Sequence, residues 1–194
     1  MTMTYRLLGG TGIQVSAYCL GTMMFGAVGN PDHDDCARII HAAIDRGINF
    51  IDTADMYSAG ECEEIVGQAL KGRREDIVLA TKVHFPMGEG PARGGNSRRW
   101  ILYEVEQSLR RLQTDWIDLY QIHRPDPATD IEETLSVLTD LVHAGKIRAF
   151  GAAGGGHGCR HPGGVLGRTP RRRAARISGS FRSRSPAASP PVVA

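Results

Sequence analysis

No apolar stretch in this 194-residue chain approaches the ~18 residues of a membrane-spanning helix, so no span is expected. No basic-then-apolar leader opens it, so no secretory signal is read. Cysteine is sparse and scattered (Cys19, Cys36, Cys62, Cys159), with no C-x-x-C pair. That spacing argues against a disulfide frame or a zinc site and fits reduced thiols in the cytoplasm. The last part of the chain lacks acids altogether. Residues 151–194 hold eight Arg, nine Gly and five Pro but no Lys, Asp or Glu, and so carry +8. With a chain total of +2, residues 1–150 carry −6. The two regions do not read as parts of one folded unit.

What is present in residues 1–150 is alternation. Tyr5 to Ala17 reads as a hairpin around Gly9-Gly10-Thr11-Gly12. Tyr18 to Met23 is a core strand. Asn30 or Asp32 caps a helix with apolar positions Cys36, Ile39, Ile40, Ala43 and Ile44, which Gly47 ends. Asn49 to Ile51 is the next strand, and Glu61 to Leu70 the next helix. Ile77 to Thr81, a Ser97-capped helix, Ile117 to Ile122 and an Asp130-capped helix follow in turn. Lys146 to Phe150 begins a fifth strand. Short Ile/Val/Leu-rich strands alternating with helices mean a parallel sheet with helices outside it. A doubly wound sheet and a (β/α)8 barrel both fit. Polar residues at the C-terminal ends of several strands favour the barrel, whose active sites lie at that rim.

Three of those strands run up to an ionisable residue: Asp52, Lys82 and His123. Tyr57 follows Asp52 closely enough for a loop to fold it over the same rim. A free phenol loses its proton near pH 10, and an adjacent ammonium stabilises the phenolate. Lys82, held by Asp52, would play that part for Tyr57. Tyr57 would then give a proton to a substrate oxygen, and neutral His123 would hydrogen-bond the same oxygen. The set suits carbonyl reduction or its reverse. It contains no hydride source, so a nicotinamide cofactor is implied. Taken singly, each residue has a plainer reading: Asp52 as a helix cap, Lys82 as a rim charge, His123 as a core-edge histidine, Tyr57 as a loop aromatic. Their order after successive strands favours the chemical one.

Five stretches carry a resemblance: Gly21-Thr22-Met23-Met24-Phe25-Gly26, Asp52-Thr53-Ala54-Asp55-Met56-Tyr57, Thr81-Lys82, Asp118-Leu119-Tyr120-Gln121-Ile122-His123 and Gly145-Lys146-Ile147-Arg148-Ala149-Phe150-Gly151. Over about residues 4–151 the chain resembles the aldo-keto reductases, in the branch near the potassium-channel β subunits. The resemblance implies an α/β fold, a (β/α)8 TIM barrel represented by the N-terminal hairpin and about five of eight strands. It implies NADPH bound without a Rossmann motif, a small carbonyl substrate, and a catalytic set of Asp52, Tyr57, Lys82 and His123. Gly21, Thr22 and Met23, with Asp52, match the segment against the nicotinamide half of the cofactor. The family pattern stops at Gly151. We therefore divide the chain into 1–151, the reductase part, and 152–194, an Arg/Gly/Pro/Ser-rich tail whose composition predicts disorder. A reading-frame change in a GC-rich gene would produce such a junction.

Two further readings stand beside the reductase. Five strands of eight do not close a barrel, so open edges and uncovered helix faces would give a marginal chain with weak NADPH binding, a fragment or a non-catalytic regulatory module. Alternatively, the basic tail would hold nucleic acid or another anionic surface through charge, although Phe181 is its one aromatic and base stacking would be poor. His157, Cys159 and His161 are read as a chance grouping and not as a metal site.

Overall fold

The computed structural model describes residues 3–153. Of the expected disordered tail, 152–194, only residues 152 and 153 fall within them, and Ala152 is in a strand and not disordered; the rest of the tail, the His157/Cys159/His161 grouping and the nucleic-acid reading lie outside them. The chain opens with an antiparallel hairpin, β1 (Tyr5–Leu7) against β2 (Gln14–Ser16). Five parallel strands follow: β3 (Leu20–Gly21), β4 (Phe50–Asp52), β5 (Val78–Val83), β6 (Ile117–Ile122) and β7 (Ile147–Ala152). They lie side by side in chain order. A doubly wound sheet reverses its strand order at a switch point; this one never does, and the order is that of consecutive barrel staves. The helices α1 (His33–Asp45), α2 (Glu61–Ala69), α3 (Arg98–Leu112) and α4 (Ile131–His143) occupy the connections.

Sequence signals set the helix ends. The Asp32 carboxylate accepts from the Asp35 N–H and the Ser97 hydroxyl from the Trp100 N–H, each capping its helix. Asp130 accepts from the Glu132 N–H, one residue earlier than a capping box requires. Gly47, just past α1, has φ +90°, a conformation in which a side chain would be strained. On α2, Gly67 is dictated by packing. A Cβ there would lie 2.6 Å from backbone atoms at the C-terminal end of α3, so only hydrogen lets the two helices approach.

The strands alternate between two layers. Ile51, Leu79, Val83, Tyr120, Ile122 and Phe150 face the helices and share a core with Ile40, Ile65, Val66, Ile101, Val105, Leu138 and Leu141. Each such aliphatic side chain, fully buried, contributes roughly 1.5–3 kcal/mol. Phe50, Val78, Ala80, Leu119 and Ala149 face the opposite side, where Val15 of the hairpin covers their N-terminal ends. Asn49 holds that cover in place: its side-chain oxygen accepts from the Ser16 N–H at 2.7 Å and its amide donates to the Gln14 carbonyl at 3.1 Å.

Several strand bounds differ from expectation: the first core strand, expected over Tyr18 to Met23, is Leu20–Gly21, and Asp52 lies within β4 and not after it. Lys82 was expected just beyond its strand, but it lies inside β5, beside Gln121 of β6. The pleat, not a loop, therefore directs its side chain. The fifth strand runs past Phe150: Gly151 and Ala152 stay in register with Gln121 and Ile122, so the backbone ladder continues after the apolar pattern has ended.

Candidate active site

Period-two alternation turns Asp52, Lys82, Gln121 and His123 to the same side as Phe50, Ala80 and Leu119. They sit at the C-terminal ends of their strands. After β4 the chain makes a tight turn fastened to β5: Thr53 N–H donates to the Ala80 carbonyl at 2.9 Å and Asp55 N–H to the Lys82 carbonyl at 3.2 Å. A short 3-10 turn, Tyr57–Gly60, then leads into α2. Inside it Ser58 (φ 47°) and Ala59 (φ 55°) are both left-handed, an unfavourable conformation for residues with a Cβ. Contacts with the β3–α1 loop hold it there. The Ser58 hydroxyl donates to the Phe25 carbonyl at 2.8 Å, and the Cys62 thiol donates to the same carbonyl at 2.8 Å. This turn brings the Tyr57 phenol back over the strand ends.

Lys82 is the centre of the group and is only 6 % exposed. Its ammonium donates to Asp52 Oδ2 at 2.6 Å, to the Thr53 carbonyl at 2.8 Å and to the Tyr57 oxygen at 3.2 Å. Burial alone would depress its pKa, but the Asp52 and Tyr57 charges and hydrogen bonds outweigh that and hold it above the ordinary lysine value. The second Asp52 oxygen accepts from Gln121 Nε2 at 3.0 Å, so both carboxylate oxygens are fixed. His123 stands edge-on to Tyr57 with ring centroids 6.0 Å apart, and Phe85 closes on its other side at 4.9 Å. Burial, then the Lys82 charge, push the His123 pKa down to about 4, so its ring is neutral at pH 7. Its Nδ1 is buried and makes no hydrogen bond to the described residues.

The sequence model of the aldo/keto reductase family matches residues 17–157. The chain belongs to the aldo/keto reductase family. It is 46% identical over 155 residues to aldo-keto reductase YhdN of Bacillus subtilis, with 78% of this chain and 47% of that protein covered. It is 40% identical over 150 residues to the "Probable voltage-gated potassium channel subunit beta" of Arabidopsis thaliana, covering 74% of this chain and 44% of the other. Among solved structures, the holo form of an aldo-keto reductase from Bacillus halodurans superimposes with a TM-score of 0.70 at 41% identity, over 78% of this chain and 50% of that one. The chain thus spans about half the length of the aldo-keto reductases it matches.

The four residues that the resemblance singled out, Asp52, Tyr57, Lys82 and His123, are together in one group. Of the three residues matched to the cofactor segment, Gly21 and Met23 are exposed at the rim. Thr22 is buried, its N–H and hydroxyl both directed at the Asp52 carbonyl at 3.0 and 3.2 Å. It anchors the segment to the Asp52 strand. Sequence reasoning missed Gln121 and Phe85. Gln121 could have been found from parity, since it lies two residues before His123 on one strand. Phe85 belongs to a segment without a period, and nothing in the sequence indicates its contact.

Proposed function

We propose that the protein is an NADPH-dependent oxidoreductase that reduces aldehydes or ketones to alcohols. The observation that carries this reading is the Lys82 ammonium, held by Asp52 and the Thr53 carbonyl while donating to the Tyr57 oxygen. Proton loss from Tyr57 leaves negative charge on an oxygen that already faces a fixed cation, so the phenol is set up as a general acid. Asp52 keeps the cation in place, and Gln121 keeps Asp52 in place. His123, neutral, can donate a hydrogen bond to the carbonyl oxygen without adding a second positive charge beside Lys82. The residues present fit the nicotinamide end of a cofactor. Gly21 and Met23 are exposed beside Asp52, and space is open around Gly21 where a side chain would otherwise stand. When bound, a reduced nicotinamide supplies the hydride. Tyr57 would give its proton to the substrate oxygen, and solvent would return a proton to Tyr57.

Among the described residues no helix is long and apolar enough to cross a membrane. A small dissolved carbonyl substrate in the cytoplasm agrees with that and with buried Cys36 and Cys62, whose thiol pKa values burial raises. The test is NADPH oxidation, followed by absorbance, with 4-nitrobenzaldehyde as acceptor. The expected result is turnover that Tyr57→Phe removes. Equal rates for the two proteins would overturn the reading and leave the non-catalytic regulatory module in its place.

A further inference from the structure

Behind the rim, on the helix side of the sheet, lies a second group of ionisable residues that the chemistry above does not use. Glu63 of α2 is 0 % exposed and Glu104 of α3 is 1 % exposed. Arg111 of α3 donates from Nε to Glu63 Oε2 at 2.7 Å and from a terminal nitrogen to Glu104 Oε1. The other Glu63 oxygen accepts from the Thr81 hydroxyl at 2.6 Å. Asp55, 0 % exposed on the β4–α2 turn, lies within electrostatic reach of Glu63, Glu104 and Arg111, and buried Tyr120 of β6 lies within reach of all four. Asp55 Oδ1 accepts from the Met56 N–H at 2.7 Å. Asp55 Oδ2 and the Tyr120 hydroxyl make no hydrogen bond to the described residues.

We propose that Asp55 is a positioning residue for Tyr57: its carboxyl group, fully buried and bonded to the Met56 N–H while its backbone N–H is bonded to Lys82, pins the turn that carries the phenol. The proposal rests on the reading of Tyr57 as the proton donor, but its geometry does not depend on catalysis. Asp55 lies two residues before Tyr57, and its backbone N–H is bonded to the carbonyl of Lys82, the residue that holds the phenol from the other face. The turn is thus clamped at one residue, through its carboxyl group and its backbone.

Charge decides the form in which the clamp works. The cation within electrostatic reach of Asp55, Arg111, is already committed to Glu63 and Glu104. A third carboxylate there would be buried without a cation, which is costly. Asp55 is therefore neutral in the folded protein. Burial first, then the charges of Glu63 and Glu104, raise its pKa to about 8, while the Met56 N–H and Arg111 oppose the rise only in part. An unfolded carboxyl group titrates near 4. Between those values the folded chain holds the extra proton, so the contribution of Asp55 to stability is lost as pH rises from about 4 to about 8. Above that the clamp carries an unpaired charge and the turn loosens.

The experiment reads the turn without substrate. Tyrosine labelled with 13C at Cζ gives one resonance per residue, and the Tyr57→Phe protein assigns that of Tyr57. Spectra and thermal melts are taken from pH 5 to 9.5 for the wild-type chain, Asp55→Asn and Glu104→Gln. In the wild type, the Tyr57 resonance moves with a midpoint near 8 as the melting temperature falls. In Asp55→Asn, which keeps the shape and cannot ionise, that component is absent and the fall in melting temperature over this range is reduced. Movement common to both is the phenol's own. Glu104→Gln removes a negative charge within reach of Asp55 and lowers the midpoint by about one pH unit. Superimposable Tyr57 titrations in wild type and Asp55→Asn overturn the proposal, as does a midpoint unmoved in Glu104→Gln. Absence of reductase activity would count against the reading of Tyr57 as proton donor and leave these spectra interpretable.

Discussion

Two buried charged groups occupy opposite faces of the same strands. On one face Lys82 gathers Asp52, Tyr57 and, through Asp52, Gln121. On the other Arg111 gathers Glu63 and Glu104, with Asp55 and Tyr120 within electrostatic reach. Thr81 and Lys82 are neighbours in sequence and serve different groups because successive side chains on a strand point to opposite sides. The first group ends at the rim, where Tyr57 is partly exposed, as the proposed proton transfer requires. The second lies between the sheet and two helices with both glutamates buried, and Arg111 alone of its ion pairs is partly exposed, so its hydrogen bonds hold elements together.

That contrast can be broken by mutation. The largest effect is expected from Tyr57→Phe, which removes the transferable proton and leaves the packing in place. We expect a loss of about 10²–10⁴-fold in NADPH-dependent carbonyl reduction, with an unchanged thermal melt. Arg111→Met should do the reverse. It strands Glu63 and Glu104 as buried carboxylates without a cation, and chemical denaturation should show a loss of about 3–5 kcal/mol. If Arg111→Met melts like the wild type, the second group does not hold the elements together.

Gln121→Leu sharpens the comparison from inside the first group. It frees one Asp52 oxygen and lets the Lys82 ammonium wander, so kcat should fall by roughly tenfold with little change in melting temperature. The smallest effect concerns His123. Its folded pKa of about 4 lies below the unfolded value of about 6.5. The unfolded chain therefore binds the proton first, and the contribution to stability is lost as pH falls from about 6.5 to about 4. Melts of His123→Gln should lack that part of the acid slope. Identical slopes would show that the ring is not shielded as the geometry indicates.

Much of this arrangement was legible beforehand. The four ionisable residues stood out because apolar strands stopped at or beside them, and Asp32, Ser97 and Asp130 marked helix starts that the structure retains. The second group was hidden. Glu63, Glu104 and Arg111 lie on helices whose apolar stripes gave no reason to expect buried charge at those positions. In sequence, Glu104 and Arg111 look like a solvated helix face. They are buried because α2 lies close enough to α3 for Gly67 to touch its backbone, and a contact between helices leaves no mark on the local period of either.

The sequence by itself determined the alternation of strand and helix, the strand ends at which Asp52, Lys82 and His123 stand, and the family to which their order belongs. These follow from local periodicity, which each segment carries in its own residues. Only the tertiary structure decided that the strands lie side by side in chain order, that Tyr57 returns to meet Lys82 through two left-handed residues, and that Asp55 is buried within electrostatic reach of Arg111 and two glutamates. Each of those depends on distances between segments far apart in the chain, set by packing and by the pairing of buried charge.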